Sequence, residues 1–222
     1  MPHTLVLATR NAGKLAELEA LLHGLGSGLG MDVAVMGLDA FPDMPEVEET
    51  GETFTENALL KARAVAAHTG CIAMADDSGL MVDALQGAPG VRSARFAAPF
   101  PPGATGAEKD RLNNQKLLQA LAHVPDLSRS ARFVTEVALA SPDGASVTAQ
   151  GSWQGRILHE PRGEHGFGYD PVFFDEDAGC TAAELAPAEK NARSHRGQAL
   201  RRLAALLPAF LADHAVPSSP TR

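Results

Sequence analysis

A chain of 222 residues, 45% of them apolar, is long enough to bury a sizeable core in one large domain or two intimate lobes. Its formal charge of −8 argues against a broad electrostatic grip on a nucleic-acid polymer, although a small anion could still be held by a local cluster of Lys and Arg. Cys71 and Cys180 lack CxxC spacing, the start MPHTLVLATRN has no long apolar segment, and no run approaches membrane-spanning length, so a soluble, cytoplasmic protein without disulfides, zinc or a membrane partner is expected.

Leu5–Thr9 is an apolar run that ends in Arg10-Asn11-Ala12-Gly13, and from Lys14 the pattern turns helical, with Leu15, Leu18, Leu21 and Leu22 on one face. The Gly-rich HGLGSGLG (His23–Gly30) reads as a flexible connection and Met31–Met36 as a second strand, before the acidic segment Pro45–Gly51. Thr53 with Glu56 is a capping-box pattern that opens a helix through Asn57, Leu60, Ala64 and Ala67. Cys71–Ala75 reads as a buried strand closed by a turn at Ser78-Gly79, which places Asp76 and Asp77 at the strand's carboxyl end.

A Gly/Pro loop, Gln86–Phe96, follows, and a second capping pattern, Thr105 with Glu108, opens another helix. Arg132–Ala140 and Ser146–Leu158 read as strands joined by a hairpin at Ser141-Pro142-Asp143-Gly144. GFGYDPVFF (Gly166–Phe174) is a glycine turn entering a strand, and the leucine stripe of Gln198–Leu211 marks a helix packed on the core. Residues 1–212 are expected to form a single domain and 213–222 a frayed tail. Strands interleaved with helices predict an α/β fold, and the hairpin makes its sheet mixed.

The paired aspartates carry the strongest chemical signal. Two adjacent acids need a cation to neutralise them, and a hard divalent metal such as Mg²⁺ suits them; a turn that uses aspartates for backbone capping is the equal alternative. Adjacent residues of a strand point to opposite faces, so one cleft easily takes only one of the two. At TRNAGK (Thr9–Lys14) a strand–loop–helix junction offers backbone N–H groups to an anion, and Lys14 in the first helical turn opposes the helix dipole unless an anion is bound there. An exposed lysine is the ordinary explanation. The segment is no P-loop, because Ala8 and Leu15 stand where that motif needs Gly and Ser or Thr. Asn57 and Lys61 share a helical face. Phe167 between two glycines exposes a ring to a flat ligand, Asp170 before Pro171 is biased to aim its carboxylate outwards, and Lys190, His195 and Arg196 offer donors.

The strings TRNAGK, EETGETFTENALLKA, ADDSGLMVDALQGAPGVRSARF, GSWQG, GFGYDPVFF and KNARSHRGQAL stand in family order, and the chain from about Leu5 to Leu207 resembles the Ham1/RdgB family of non-canonical purine nucleoside triphosphate pyrophosphatases. That resemblance implies an elongated α/β structure of two lobes around a mixed sheet, with an active-site cleft between the lobes, in a homodimer. It implies hydrolysis of dITP, ITP, XTP and dXTP to a nucleoside monophosphate and pyrophosphate. By the same resemblance Thr9, Arg10, Asn11, Ala12, Gly13 and Lys14 bind the triphosphate with support from Lys61. Asp77 is the general base and, with Glu48, a Mg²⁺ ligand; Asp76 and Lys14 assist. Ser78 contacts substrate, Phe167, Gly168, Tyr169 and Asp170 line the base and sugar pocket, and Lys190, His195 and Arg196 read the base. A nucleotide sensor without turnover and a pyrophosphatase for other modified nucleotides are the alternatives.

Overall fold

The computed structural model describes residues 3–29 and 33–214. In chain order the strands are β1 (His3–Leu7), β2 (Val33–Gly37), β3 (Ile72–Val82), β4 (Ser130–Ala140), β5 (Ser146–Ile157), β6 (Phe173–Asp175) and β7 (Cys180–Thr181). The helices are α1 (Ala12–Leu29), α2 (Phe54–Thr69), α3 (Gly106–Ala120), α4 (Pro187–Arg193) and α5 (His195–Asp213). The strands form one sheet in the order β2-β1-β3-β4-β5-β6-β7. β1 runs parallel to both β2 and β3, whereas β6 is antiparallel to β5 and to β7, so the sheet is mixed as the hairpin predicts.

Several local expectations hold and others need correction. Both capping boxes form: Thr53 accepts from the Glu56 N–H while its own N–H donates to the Glu56 carboxylate, and Thr105 with Glu108 does the same. The stretch 23–29 is helical instead of a connection, continuing the helix whose Leu15, Leu18, Leu21 and Leu22 pack on the core. Gly30, Met31 and the tail beyond His214 lie outside the described residues. β3 runs straight through Ser78-Gly79 to Val82, so the aspartates sit in mid-strand rather than at its end. Part of the expected loop 86–96 winds into a 3-10 helix at Gly90–Arg95, and α5 begins at His195, three residues ahead of the expected start.

The chain divides into two compact units, residues 1–77, 135–151 and 196–222 in the first and 78–134 and 152–195 in the second. In the first unit, strand alternation sorts the core into two layers. Leu5, Leu7, Ile72, Met74, Val137 and Leu139 pack with Leu18 of α1 and Leu200, Leu203 and Leu207 of α5. The intervening Val6, Ala8, Ala73, Ala75, Ala138 and Ala140 pack with Ala58, Ala62, Val65 and Ala66 of α2. The second layer is built almost wholly of alanine, which lets α2 lie close upon the sheet.

The second unit has its own core. Phe133 and Phe173 pack in a tilted pair 4.5 Å apart between ring centroids, with Trp153 against Phe173 at 5.1 Å. The Trp153 indole N–H donates to Asp175 (3.0 Å), which satisfies the polar atom that burial would otherwise strand.

Candidate active site

The alternation that builds the two layers also separates the aspartates. Asp76 is in register with Ile72 and Met74 and so faces α1 and α5; Asp77 is in register with Ala73 and Ala75 and so faces α2. Asp76 is 2% exposed and meets the Lys14 ammonium at 3.0 Å and the Arg196 guanidinium at 3.4 Å. Arg196 is also paired with Glu17. Burial alone would raise the Asp76 carboxyl, but Lys14 and Arg196 overcome it and hold it far below the usual carboxylate range. Lys14 shows the reverse balance: burial lowers its pKa more than Asp76 raises it.

Asp77 has a different set of partners. Its carboxylate accepts from Asn57 Nδ2 (3.2 Å) and Lys61 Nζ (3.3 Å), one helical turn apart on α2. Burial raises its pKa, and Lys61 and Lys14 only partly offset that. Lys61 also reaches Glu49 (2.7 Å); burial works against its ammonium, yet Asp77, Asp76 and Glu49 together keep its pKa above the ordinary value. The Gly51 N–H donates to Asn57 Oδ1 (2.8 Å), and a Cβ on Gly51 would fall 2.7 Å from that oxygen, so glycine is needed for the acidic segment to approach α2. Glu49 is thereby delivered to Lys61, while its neighbour Glu48 is exposed.

At the start of α1, Asn11 acts as the cap. Its Oδ1 accepts from the Lys14 N–H (3.0 Å) and the Thr9 hydroxyl accepts from the Asn11 N–H (3.2 Å), so both polar side chains shape the loop. Arg10 donates to the Met44 carbonyl (2.7 Å), and Asn11 and Ala12 are exposed.

The second unit gathers another group of the sequence-selected residues. Gly166 has φ +76°, and a Cβ there would collide with Asp170, 2.0 Å away. The Asp170 carboxylate turns back into the turn, against the outward aim expected before Pro171, because the Phe167 N–H (2.8 Å) and Lys190 Nζ (2.6 Å) both donate to it. Lys190 lies 4.9 Å from the Phe167 ring centroid. Gly168 has φ +63° and open space where a Cβ would be. Tyr169 is buried with its hydroxyl donating to the Ser93 carbonyl (2.9 Å), and Ser78 is half-buried in β3. His195 is buried and stacked on Phe133 at 4.8 Å between centroids.

Sequence reasoning grouped Arg196 with Lys190 and His195; the structure commits its guanidinium to Asp76 and Glu17. It missed Glu17, Asp110 and Asn114, gave Glu49 of the acidic segment no role, and placed Asn57 on the right helical face without assigning it a partner. Within the first unit the arrangement supplies a carboxylate of raised proton affinity beside two half-buried ammonium groups, which suits proton removal next to accumulating negative charge.

The family model described as Ham1 family matches residues 5–206. A protein named dITP/XTP pyrophosphatase from Nitratidesulfovibrio vulgaris is 56% identical over 93% of this chain and 97% of its own length. Among solved structures, a HAM1 protein from Coxiella burnetii aligns with a TM-score of 0.79 at 44% identity, covering 93% of this chain and 99% of that one. A nucleoside-triphosphatase / dITP/XTP pyrophosphatase from Mycobacterium abscessus aligns with a TM-score of 0.70 at 45% identity, again over 93% of this chain and 99% of that one.

Proposed function

Because the chain belongs to the Ham1 family, we propose that it hydrolyses the α–β phosphate bond of aberrant purine nucleoside triphosphates (dITP, ITP, XTP and dXTP), releasing a nucleoside monophosphate and pyrophosphate. One observation carries this reading beyond likeness: two adjacent carboxylates are set to opposite tasks. Asp76, neutralised by Lys14 and Arg196, is a fixed anion that holds Lys14 in place. Asp77 has a raised pKa and can take a proton.

In the reaction, water gives a proton to Asp77 as its oxygen bonds to phosphorus and the bridging α–β bond breaks, with pyrophosphate carrying away the electron pair. Lys14 and Lys61 stand beside the carboxylates and meet the phosphate charge; an approaching phosphate reverses the burial penalty on Lys14 and keeps it cationic. Thr9, Asn11 and the backbone of Arg10–Gly13 shape the loop that receives the phosphates.

Mg²⁺ fits the residues present. No group of three or more His, Cys, Asp or Glu side chains suited to a metal occurs among the described residues. Mg²⁺ needs only one or two carboxylates, completing its shell with waters and substrate phosphates. By the family resemblance Asp77 and Glu48 would be the pair that holds the cation; Glu48 is exposed, and Asp77 is engaged by Lys61 and Asn57. Bound there, the ion would neutralise phosphate charge and make water more acidic.

The base falls to the second unit's residues. The Phe167 ring beside the open Gly168 offers a stacking face, with Lys190 and His195 as donors towards a 6-oxo group. A 6-amino group would set donor against donor, and sites of that kind reject by about 10⁴-fold. A cytoplasmic homodimer belongs to the same proposal. Among the described residues no helix is long and apolar enough to cross a membrane. The deciding measurement is pyrophosphate release with Mg²⁺ from dITP and XTP beside dATP and dGTP, with Asp77→Asn as control. Release confined to the first two and lost in the variant is expected. Equal release from all four overturns the base assignment, and binding of dITP without release points to a sensor.

A further inference from the structure

We propose that Asp110 and Asn114 of α3 are positioning residues that clamp Gly168 from both of its backbone polar groups and thereby set the base-contacting turn. The inference rests on the base assignment made above. The Gly168 N–H donates to Asp110 Oδ2 (2.8 Å) and the Gly168 carbonyl accepts from Asn114 Nδ2 (2.8 Å). The spacing is i,i+4, so the two side chains stand one above the other on α3 and present an acceptor and a donor to one residue of the turn. A carboxylate opposite the N–H and an amide opposite the carbonyl match the polarity of that glycine; the two types exchanged would set acceptor against acceptor at the carbonyl.

Neither residue is explained by stability alone. Asn114 is 7% exposed, and among the described residues its Oδ1 has no hydrogen-bond partner. An apolar side chain of similar size would avoid that burial cost, so the amide stands there for what its Nδ2 holds. Asp110 is half-buried and burial raises its pKa, with the Gly168 N–H as the opposing influence. Gly168 itself occupies the left-handed region, where a glycine samples many conformations unless its peptide groups are held. Asp170 fixes the Phe167 N–H from inside the turn, and the clamp fixes the next residue from outside. The Phe167 ring is thus carried by a backbone restrained on both sides.

The test separates base binding from phosphate binding. Affinities of the whole protein for dITP and for inorganic tripolyphosphate are measured by calorimetry without divalent metal, for wild type, Asp110→Ala, which removes the acceptor, and Asn114→Asp. The second substitution keeps the shape but removes the donor. Expected is a roughly five- to twentyfold loss of dITP affinity in each variant with tripolyphosphate affinity unchanged, and in turnover a rise in KM with kcat held within about twofold. Unchanged dITP affinity in both variants overturns the clamp, and equal loss of both ligands shows a merely structural role and also overturns it. If Asn114→Asp does not fold, the more exposed Asp110→Ala decides alone. Wild-type protein that binds dITP no better than tripolyphosphate would instead remove the base assignment on which the clamp rests.

Discussion

Adjacent residues of β3 do opposite things because they face different helices. Replacing Asp76 by Asn leaves the half-buried Lys14 and the buried Arg196 without their shared anion, a loss expected to cost about 3–5 kcal/mol. Its folded pKa is depressed, so its contribution is present above the unfolded value of about 4 and fades as pH falls below it; chemical denaturation at pH 7.5 and 3.5 should show the deficit shrinking in acid. Asp77→Asn should behave in the opposite sense, with unchanged or slightly raised stability at pH 7.5 and turnover abolished, because its buried charge is disfavoured in the fold. A destabilised Asp77→Asn and a neutral Asp76→Asn would exchange their roles. The alternation behind this contrast was readable from the string ADDSG, but the partners were not: Lys14 lies 62 positions before Asp76 and Arg196 lies 120 after it. Between Glu48 and Glu49, neighbours in one acidic loop, sequence has no means of choosing. The Gly51–Asn57 contact does that.

Among the elements, α2 carries both Asn57 and Lys61 and rests on an alanine layer. Ala62 is fully buried beside Lys61, and Ala62→Leu adds bulk that the layer can accept only by lifting the helix. A loss of about 1–3 kcal/mol is expected, and kcat should fall more than the affinity for dITP, as Lys61 and Asn57 lose register with Asp77. Unaltered kcat in a destabilised variant would detach α2 packing from catalysis. The capping boxes at Thr53 and Thr105 were legible because they are local, complete within four residues. α1 beyond Leu22 was not legible: glycine propensity argues against helix there, yet the helix runs on to Leu29. Asp110 and Asn114 show the same limit from the other side, two polar residues on an unremarkable helix whose meaning rests on a glycine more than fifty positions away.

At the scale of the molecule, the two units interleave along the chain. β3, β4 and β5 each contribute residues to both, with boundaries at Asp77/Ser78, Val134/Thr135, Gly151/Ser152 and His195/Arg196. No linker or shift of composition marks these points, because each boundary but the last falls inside a strand, and the last opens α5. Mass action gives a test of the whole fold. The catalytically silent Asp77→Asn protein in dITP at a hundred times Kd should gain about 2.7 kcal/mol, a rise in Tm of roughly 5–10 °C for a chain of this size. Equimolar dATP should give less; equal shifts would mean that the base is not read.

The glycine-bearing end of α1 has a practical consequence. Lys14 stands at the first turn of the helix and Leu29 at its last residue, about 22 Å apart along the axis at 1.5 Å per residue. Changes of length at that far end leave the Lys14–Asp76 pair where it is. A label at that distance along the helix would report on the protein from well outside the reach of the Lys14–Asp76 pair.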